Sequence, residues 1–547
     1  MFEDVLRACE RLARTRTPAG EIGEDILQTI PDTATAQDLN DFLSAEREDS
    51  DIIVLWAAYA IATKISKDGR SKDDDNKDDS RDLFNEISDR ISSIILPISS
   101  DASLDEDKTD YTTLQRKGEL GLLSIEQLVG FSHKTSVKLP SSTLLCLTAF
   151  TNAEYPWTTA KSSTLASSLL DAQARAHGES HIRSFITEDI LSKFLRPLFS
   201  KSRSAAVTAS GRKAEFVETS RYDNIDRENP ETKPWKYTHR YAVTVFAWAV
   251  RHADTTLLQS SWPLFTPVLL TLLDESQHTG LKVQALNILR GFWERCPAGL
   301  MRNTGLAEVF EQAVFPAVLY LPSLTPEDES LQILSAAYPV LIEMAGIKYP
   351  YAEGEQQHQP PPQFTEPQRK LLDKIIREGI MVGYHHAKDH IKIVGLLCEI
   401  LTCIINGMGI LAVKHLKDIM PMTKEIMIDP FGTKYPPALI SATKLLQAIL
   451  RACWPRIGRY CNELVMTLTL CWANIREEES LAVDSPIAKD LKTELTKAAS
   501  ILTAIMNAEK VDLNERVSPL VEQEEQLQEL FKSLNVAHPH PPSSIQV

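Results

Sequence analysis

The sequence predicts an all-α protein, a solenoid of stacked helical hairpins, on three observations. Glycine is scarce, at 21 of 547 residues. Leucine, alanine and isoleucine recur at intervals of three and four along most of the chain, and alternating strand-like stretches are nearly absent. A chain of this length exceeds one compact core, so it needs several domains or an elongated repeat array.

The stretch from Ser261 to Cys296 shows the pattern most plainly. Its first apolar run, Trp262 to Leu273, is predicted to hold Pro263 in its first turn, where a missing N–H is harmless. It ends in the polar turn from Asp274 to Gly280. In the second helix Leu281, Ala285, Ile288, Leu289, Phe292 and Cys296 share one face, while Gln284, Asn287, Arg290 and Glu294 fall opposite. One hairpin cannot cover its own apolar face, so similar hairpins must stack on it before and after. Leu281-Lys282-x-x-Ala285-x-x-x-Leu289, preceded by an Asp in the turn, resembles the second helix of a HEAT repeat. That resemblance implies aliphatic packing between repeats, close helix approach at the alanine, and a basic residue laddered with the turn Asp.

Taken in order, the chain predicts short helices at Val5–Leu12, Glu24–Ile30 and Ala36–Leu43, then a strongly apolar one at Asp51–Ile65. The charged run from Lys67 to Ser80 has nothing to bury and is expected to be a mobile acidic loop. Helices resume at Leu83–Ile95, Leu114–Val129, Ser142–Thr151, Ser162–Ala176 and Thr187–Phe199, punctuated by Pro97, Pro140 and Pro156. Residues 1–200 thus read as an N-terminal domain of degenerate hairpins. Residues 201–233 lose periodicity and read as a linker. HEAT-like repeats are expected over 234–510. His239–His252 leads into the organising hairpin; Leu306–Tyr320 pairs with Asp328–Met344, and a proline-rich insertion follows at 356–362. Glu366–Tyr384 then pairs with Ile391–Ile405, Ile410–Met427 with Ala438–Cys453, and Arg456–Trp472 with Ile487–Met506. These steps of about 40 residues fall in the HEAT range. Residues 511–535 are expected to cap the array, mainly through one acidic helix from Leu520 to Leu534, with a disordered tail at 536–547.

Charge and cysteine usage exclude several classes. With 58 basic against 74 acidic side chains the net charge is −16, which opposes binding to nucleic acid or anionic lipid. The cysteines lie mostly in apolar helical runs without a CxxC pair, as in reduced core positions of a cytoplasmic or nuclear protein. The acidic N-terminus fits neither a secretory signal nor a clean transit peptide. Ile393–Val413 is apolar, but Glu399 and Asn406 interrupt it, so a buried helix followed by a turn at Asn406-Gly407 is expected rather than a membrane span.

No catalytic signature is visible. Asp74, Asp75 and Asp78 have the DDxxD spacing of magnesium-dependent isoprenoid synthases, but they sit among Lys, Ser and Gly and read as solvated loop. His386 and His390 are four apart, without the Glu or further ligands of a zinc site. Asn406-Gly407-Met408-Gly409 follows a helix and reads as a turn, not a phosphate cradle. Neither cofactor nor metal is expected. Aromatic and basic residues at hairpin ends remain: Trp235, Lys236, Tyr237, Arg295, Trp454 and Arg456 are the candidate partner-binding residues, since Trp and Arg are frequent interface hot spots. Lys236 and Arg456, beside prolines and turns, are expected at the surface.

Arg221 to Gly346 contains KPWKY, YAVTVFAWAVRHA, WPLFTPVLLTLLDE, GLKVQALNILRGFWERC and VFPAVLYLPSLTPEDESLQILSAAYPVLIEMAG, and ACWPRI follows at Ala452–Ile457. These segments resemble the fungal branch of the Tel-two-interacting protein two family. The resemblance implies a HEAT-like α-solenoid without enzymatic activity, the second interacting subunit of the Triple-T co-chaperone complex. It implies binding to the two other Triple-T subunits, chiefly the large HEAT-repeat subunit. Through these it implies work with the ninety-kilodalton heat-shock chaperone and R2TP on phosphatidylinositol-3-kinase-related kinases, in DNA-damage and nutrient signalling. Two rivals stand beside it: a transport or cargo adaptor of importin type, and an all-α magnesium enzyme built on the aspartates of the acidic loop.

Overall fold

The computed structural model describes residues 2–15, 17–45, 49–68, 77–98, 110–131, 138–202, 229–275, 278–350, 363–481 and 486–534. The expected loop over 67–80, the core of the linker, the proline-rich insertion and the tail fall largely or wholly outside them. Among the described residues all regular structure is helical, and the chain forms two compact units, Met1–Asp274 with Glu294–Leu306, and Glu275–Trp293 with Ala307–Val547.

Unit 1 holds α1 (Glu3–Thr15), α2 (Glu24–Thr29), α3 (Ala36–Ser44), α4 (Asp51–Asp68), α5 (Lys77–Ile95), α6 (Tyr111–Phe131), α7 (Ser141–Ala149), α8 (Ala160–Ser184), α9 (Arg196–Phe199), α10 (Tyr241–His252) and α11 (Thr255–Leu273). The apolar run predicted at Asp51–Ile65 is its centre: α4 packs on α1 and α6, and Leu55, Trp56, Ala57, Ala58, Ala60 and Ile61 are all fully buried. A helix buried on nearly every side has no polar face to reveal its period. Between α8 and α9 the backbone widens into a π-helix, Phe185–Leu195, which overlaps the regular helix expected at Thr187–Phe199.

The start of α11 corrects the sequence reading. Pro263 is not in the first turn, because the Asp254 carboxylate accepts from the Leu257 N–H at 2.9 Å and starts the helix at Thr255. Pro263 and Pro267 both lie inside the helix.

Unit 2 takes α12 (Thr279–Arg295) up to Trp293, while α13 (Ala298–Asn303) belongs to unit 1. It continues through α14 (Leu306–Val314), α15 (Glu327–Met344), α16 (Glu366–Lys374), α17 (Val382–Ala387), α18 (Ile391–Met408), α19 (Leu416–Ile428), α20 (Pro436–Ala452), α21 (Trp454–Ile457), α22 (Cys461–Leu481) and α23 (Pro486–Ala508). It ends in α24 (Asn514–Gln523) and α25 (Leu527–Leu530). The stacked hairpins are plain within this unit: α15 packs on α18, α18 on α20, and α20 on α23, while α19 packs on α22.

Polar ties fix the register of this layer. Thr279 donates to Glu329, and the Arg290 guanidinium reaches Glu343 at 2.6 and 2.9 Å, so α12 and α15 run parallel. Glu399 of α18 accepts from Ser441 of α20 at 3.0 Å, and Gln447 of α20 donates to Glu494 of α23 at 2.7 Å. In the other layer Glu311 takes Lys374 at 3.0 Å, and Glu463 takes Lys424 at 3.1 Å. Each tie joins one hairpin to the next, as an array requires of units that cannot bury their own faces.

Two expectations for this region are corrected. The helix does not turn at Asn406-Gly407; α18 continues to Met408, and Gly409, at φ +54°, ends it. Gly407 serves close packing instead, since a Cβ there would stand 2.7 Å from Cγ2 and Cδ1 of Ile347. The expected acidic helix from Leu520 to Leu534 is broken, because Glu524 turns extended after α24.

The Gly407 contact yields an expected result. Gly407→Ala should destabilise unit 2 by about 1–3 kcal/mol despite alanine's better helix propensity. Gly130→Ala in α6, where a Cβ meets nothing within 4 Å, should instead be neutral or stabilising by up to about 1 kcal/mol. Denaturant midpoints check both.

Two helical stretches, Thr255–Leu273 and Ile391–Ile428, are long and apolar enough to cross a membrane by composition; about half of each window is covered by protein, 56% in both.

Candidate partner surface

The KPWKY segment folds inward. Backbone bonds from Lys236 N to Lys233 O at 2.9 Å and from His239 N to Pro234 O at 2.7 Å close successive turns. They carry Trp235 into unit 1, where it is 0% exposed, its ring stacked on Phe199 at 5.0 Å and its Nε1 donating to Ser202 Oγ at 2.9 Å. Tyr237 is buried too. The expectation that Lys236 lies at the surface is corrected: it is 1% exposed, with its ammonium 5.7 Å from the Tyr237 ring. A long aliphatic stem beside two aromatic residues packs readily, which adjacency to proline could not reveal. Arg295 is half-buried at the end of α12, in the part of the chain assigned to unit 1.

Trp454 and Arg456 are different. They occupy α21 in unit 2, with Trp454 53% exposed and Arg456 exposed. Pro455 is the second residue of this short helix, where its ring fixes the backbone of the first turn. Gly395 of α18 lies against Ala438 of α20 and Glu399 against Ser441, so the two helices run parallel; the 3-10 turn Gly409–His415 after α18 and the α21 turn after α20 therefore fall on the same edge of unit 2, and both pack on α20. That first turn exposes Ile410 and Leu411, at 52% and 37%. The sequence reading missed these two because it ran one regular helix over Ile410–Met427, whereas the break at Gly409 turns them outward. The available signal was a glycine directly after an apolar helix, followed by two aliphatic residues.

No catalytic chemistry emerges among the described side chains. All eight cysteines are free thiols. Burial pushes Cys9, Cys146, Cys296, Cys398 and Cys471 up to about 12, so none supplies a thiolate near neutrality. No three His, Cys, Asp or Glu side chains converge as metal ligands among the described residues. His390 lies 3.2 Å from Glu327, and His386 stacks edge-on with His385. Asp74 and Asp75 lie outside the described residues, and Asp78 falls in the first turn of α5.

One buried histidine sets a pH dependence. His415 has a fully buried side chain, with Nε2 2.8 Å from Asp373 Oδ1, and Lys414 reaches the same carboxylate at 2.6 Å. Burial lowers the His415 pKa below its ordinary 6.5, outweighing the upward pull of Asp373. Burial alone would raise Asp373, but Lys414 and His415 together hold it below its ordinary value. Burial also lowers His181, His239 and His252. The folded chain therefore binds fewer protons than the unfolded one around and below about pH 6.5, so stability is full above that value and is lost as pH falls through it. Thermal melts should show a lower midpoint at pH 5.5 than at pH 7.5, and His415→Gln should shrink the difference.

A family model described as the Tti2 family matches residues 143–434. The chain belongs to the Tti2 family. No curated protein matches the chain. The match begins in α7 and ends in the turn before α20, so it takes in the KPWKY turns, the Ile410 and Leu411 turn and most of the parallel helix layer. Tti2-family proteins are adaptor subunits of the Triple-T complex.

Proposed function

We propose that this chain is a non-catalytic scaffold subunit of the Triple-T co-chaperone complex that helps mature and stabilise phosphatidylinositol-3-kinase-related kinases. The family match over residues 143–434 carries this reading. Its direct partners are the two other Triple-T subunits, chiefly the large HEAT-repeat subunit, and through them the ninety-kilodalton heat-shock chaperone and R2TP. It works in the cytoplasm and nucleus. The docking element is the edge of unit 2 that presents Trp454, Arg456, Ile410 and Leu411, an aromatic and an arginine beside two aliphatic side chains. A solvent-exposed tryptophan at a rigid turn is the type of side chain that anchors an interface, with truncation costing about 2 kcal/mol or more.

Affinity purification of the tagged chain from its own cells tests both parts. The two other Triple-T subunits should co-elute in near-equal amounts. Trp454→Ala with Arg456→Glu should reduce their recovery by about tenfold or more, since 1.4 kcal/mol is tenfold in affinity, while leaving the circular dichroism melt unchanged. Recovery of the chain alone, or with nuclear-transport factors in place of those subunits, would sink the Triple-T reading. Undiminished recovery with the double variant would move the docking surface elsewhere.

A further inference from the structure

A solvent-open groove of about 680 Å³ lies on unit 2, lined by the C-terminal end of α20, by α23 and by the segment from α25 onward. Five of its lining side chains are cationic, Arg451, Lys489, Lys492, Lys497 and Lys532, against one carboxylate, Glu529. This inverts the balance of a chain with 58 basic and 74 acidic residues. The groove is also built from residues beyond the family match, which ends at 434.

We propose that this groove binds an acidic segment of a partner protein. Three features select that occupant. First, the cations follow one face of α23 from Lys489 to the level of Ser500, about 16 Å of helix at 1.5 Å per residue. An extended peptide of about five residues at 3.3 Å each covers that length. Second, the groove offers charge without a cage for a small anion. The hydroxyls of Thr493, Thr496 and Ser500 donate to the carbonyls of Lys489, Lys492 and Thr496 at 2.8, 2.9 and 2.8 Å, so their protons are turned into the helix. A compact phosphate needs several converging donors; a row of flexible ammonium groups suits carboxylates spaced along a chain. Third, the −16 net charge of the whole chain opposes a long polyanion such as nucleic acid, whose phosphates would extend beyond the groove.

Three of the cations have neighbours within the unit. Lys492 lies over the Trp472 ring at 5.4 Å, Lys497 shares Glu494 at 2.8 Å, and Arg451 donates to Gln447 at 3.3 Å. Lys489 and Lys532 are exposed at the two ends of the row. This binding site is independent of Triple-T membership and of the Trp454 edge.

The test uses the full chain and a fluorescein-labelled ten-residue peptide of six glutamates and four glycines, read by fluorescence anisotropy. Lys489→Glu with Lys532→Glu reverses charge at two exposed positions; Lys417→Glu, exposed on α19 outside the groove, is the control. The peptide should bind the parent and the control alike, bind the double variant at least tenfold more weakly, and lose affinity between 50 and 200 mM salt. Circular dichroism checks that the variants fold. Failure of the peptide to bind the parent, or equal binding to the double variant, overturns the proposal. So does tighter binding of inositol hexakisphosphate or of a ten-residue oligothymidine than of the peptide, since either would make the groove a phosphate or nucleic-acid site.

Discussion

Trp235→Ala should destabilise unit 1 by about 3–5 kcal/mol, the range for deleting a large aromatic side chain from a packed interior. The indole is 0% exposed, lies nearly parallel to Phe199 at 5.0 Å with 10° between the planes, and donates its N–H to Ser202 at 2.9 Å. Removing it opens a cavity between the turn segment and the end of α9, and leaves the Ser202 hydroxyl without that donor. Because the chain forms two compact units, a single melting midpoint registers the loss without saying which unit carries it. Hydrogen exchange separates them: amides of α7 to α10 should exchange much faster in the variant, while those of α18 and α20 should keep their parent rates. Trp235→Phe, which keeps a ring against Phe199 and loses only the hydrogen bond, should recover most of the loss. Parent-like exchange in Trp235→Ala would mean that the turn does not hold unit 1 together.

The same tryptophan shows what the sequence could and could not reveal. Helices were legible because burial imposes a period: Val5, Cys9, Ala285, Ile288, Leu289 and Phe292 all recur on the expected faces, and all are buried. Capping was legible less often. The Asp254 cap lies eight residues ahead of the first predicted helical residue, Trp262, and Pro263 argued for a later start. Tertiary packing tolerates a proline within a helix when the rest of it is buried, as ten residues of α11 are. The π-helix at Ile375–Met381 was illegible for a related reason. Its widening places Gly379 and Gly383 against Tyr338, a contact with a different hairpin that no local period contains.

For the partner surface, residue type was informative and exposure was not. Trp235 and Trp454 both sit beside prolines and basic residues, yet one is fully buried and the other 53% exposed. The difference arises from how the following turns fold. After Pro234 the backbone closes on itself twice, while Trp454 opens a four-residue helix, with Pro455 second in it, and stays at the rim. Such closure depends on what stacks beneath: Phe199, remote in sequence, under Trp235, and the end of the preceding helix α20 beside Trp454.

Glu343→Ala should destabilise unit 2 by about 2–4 kcal/mol, somewhat less than breaking a fully enclosed ion pair because Arg290 keeps partial access to solvent. Side-chain exposures of 29% for Arg290 and 12% for Glu343 set that discount. The guanidinium gives two bonds to one carboxylate oxygen, at 2.9 and 2.6 Å, and a third to the Tyr349 carbonyl at 2.6 Å, with the tyrosine ring 5.8 Å away. Sequence periodicity had set Arg290 on the polar side of its helix, away from the aliphatic row. That polar side is nevertheless not simply a solvated face. In a stack of parallel helices it meets the next helix, where charge-assisted bonds fix the register that nondirectional apolar packing leaves free. Two substitutions separate register from adhesion. Glu343→Gln, which keeps an acceptor and drops the charge, should cost about 1–2 kcal/mol. Arg290→Met with Glu343→Leu should be closer to the parent in denaturant midpoint than Glu343→Ala, because it leaves no buried charge alone. If the apolar pair instead proved the worst of the three, the bonds would be adding adhesion as well as register, and the ties at Glu399 and Glu494 would be expected to behave the same way.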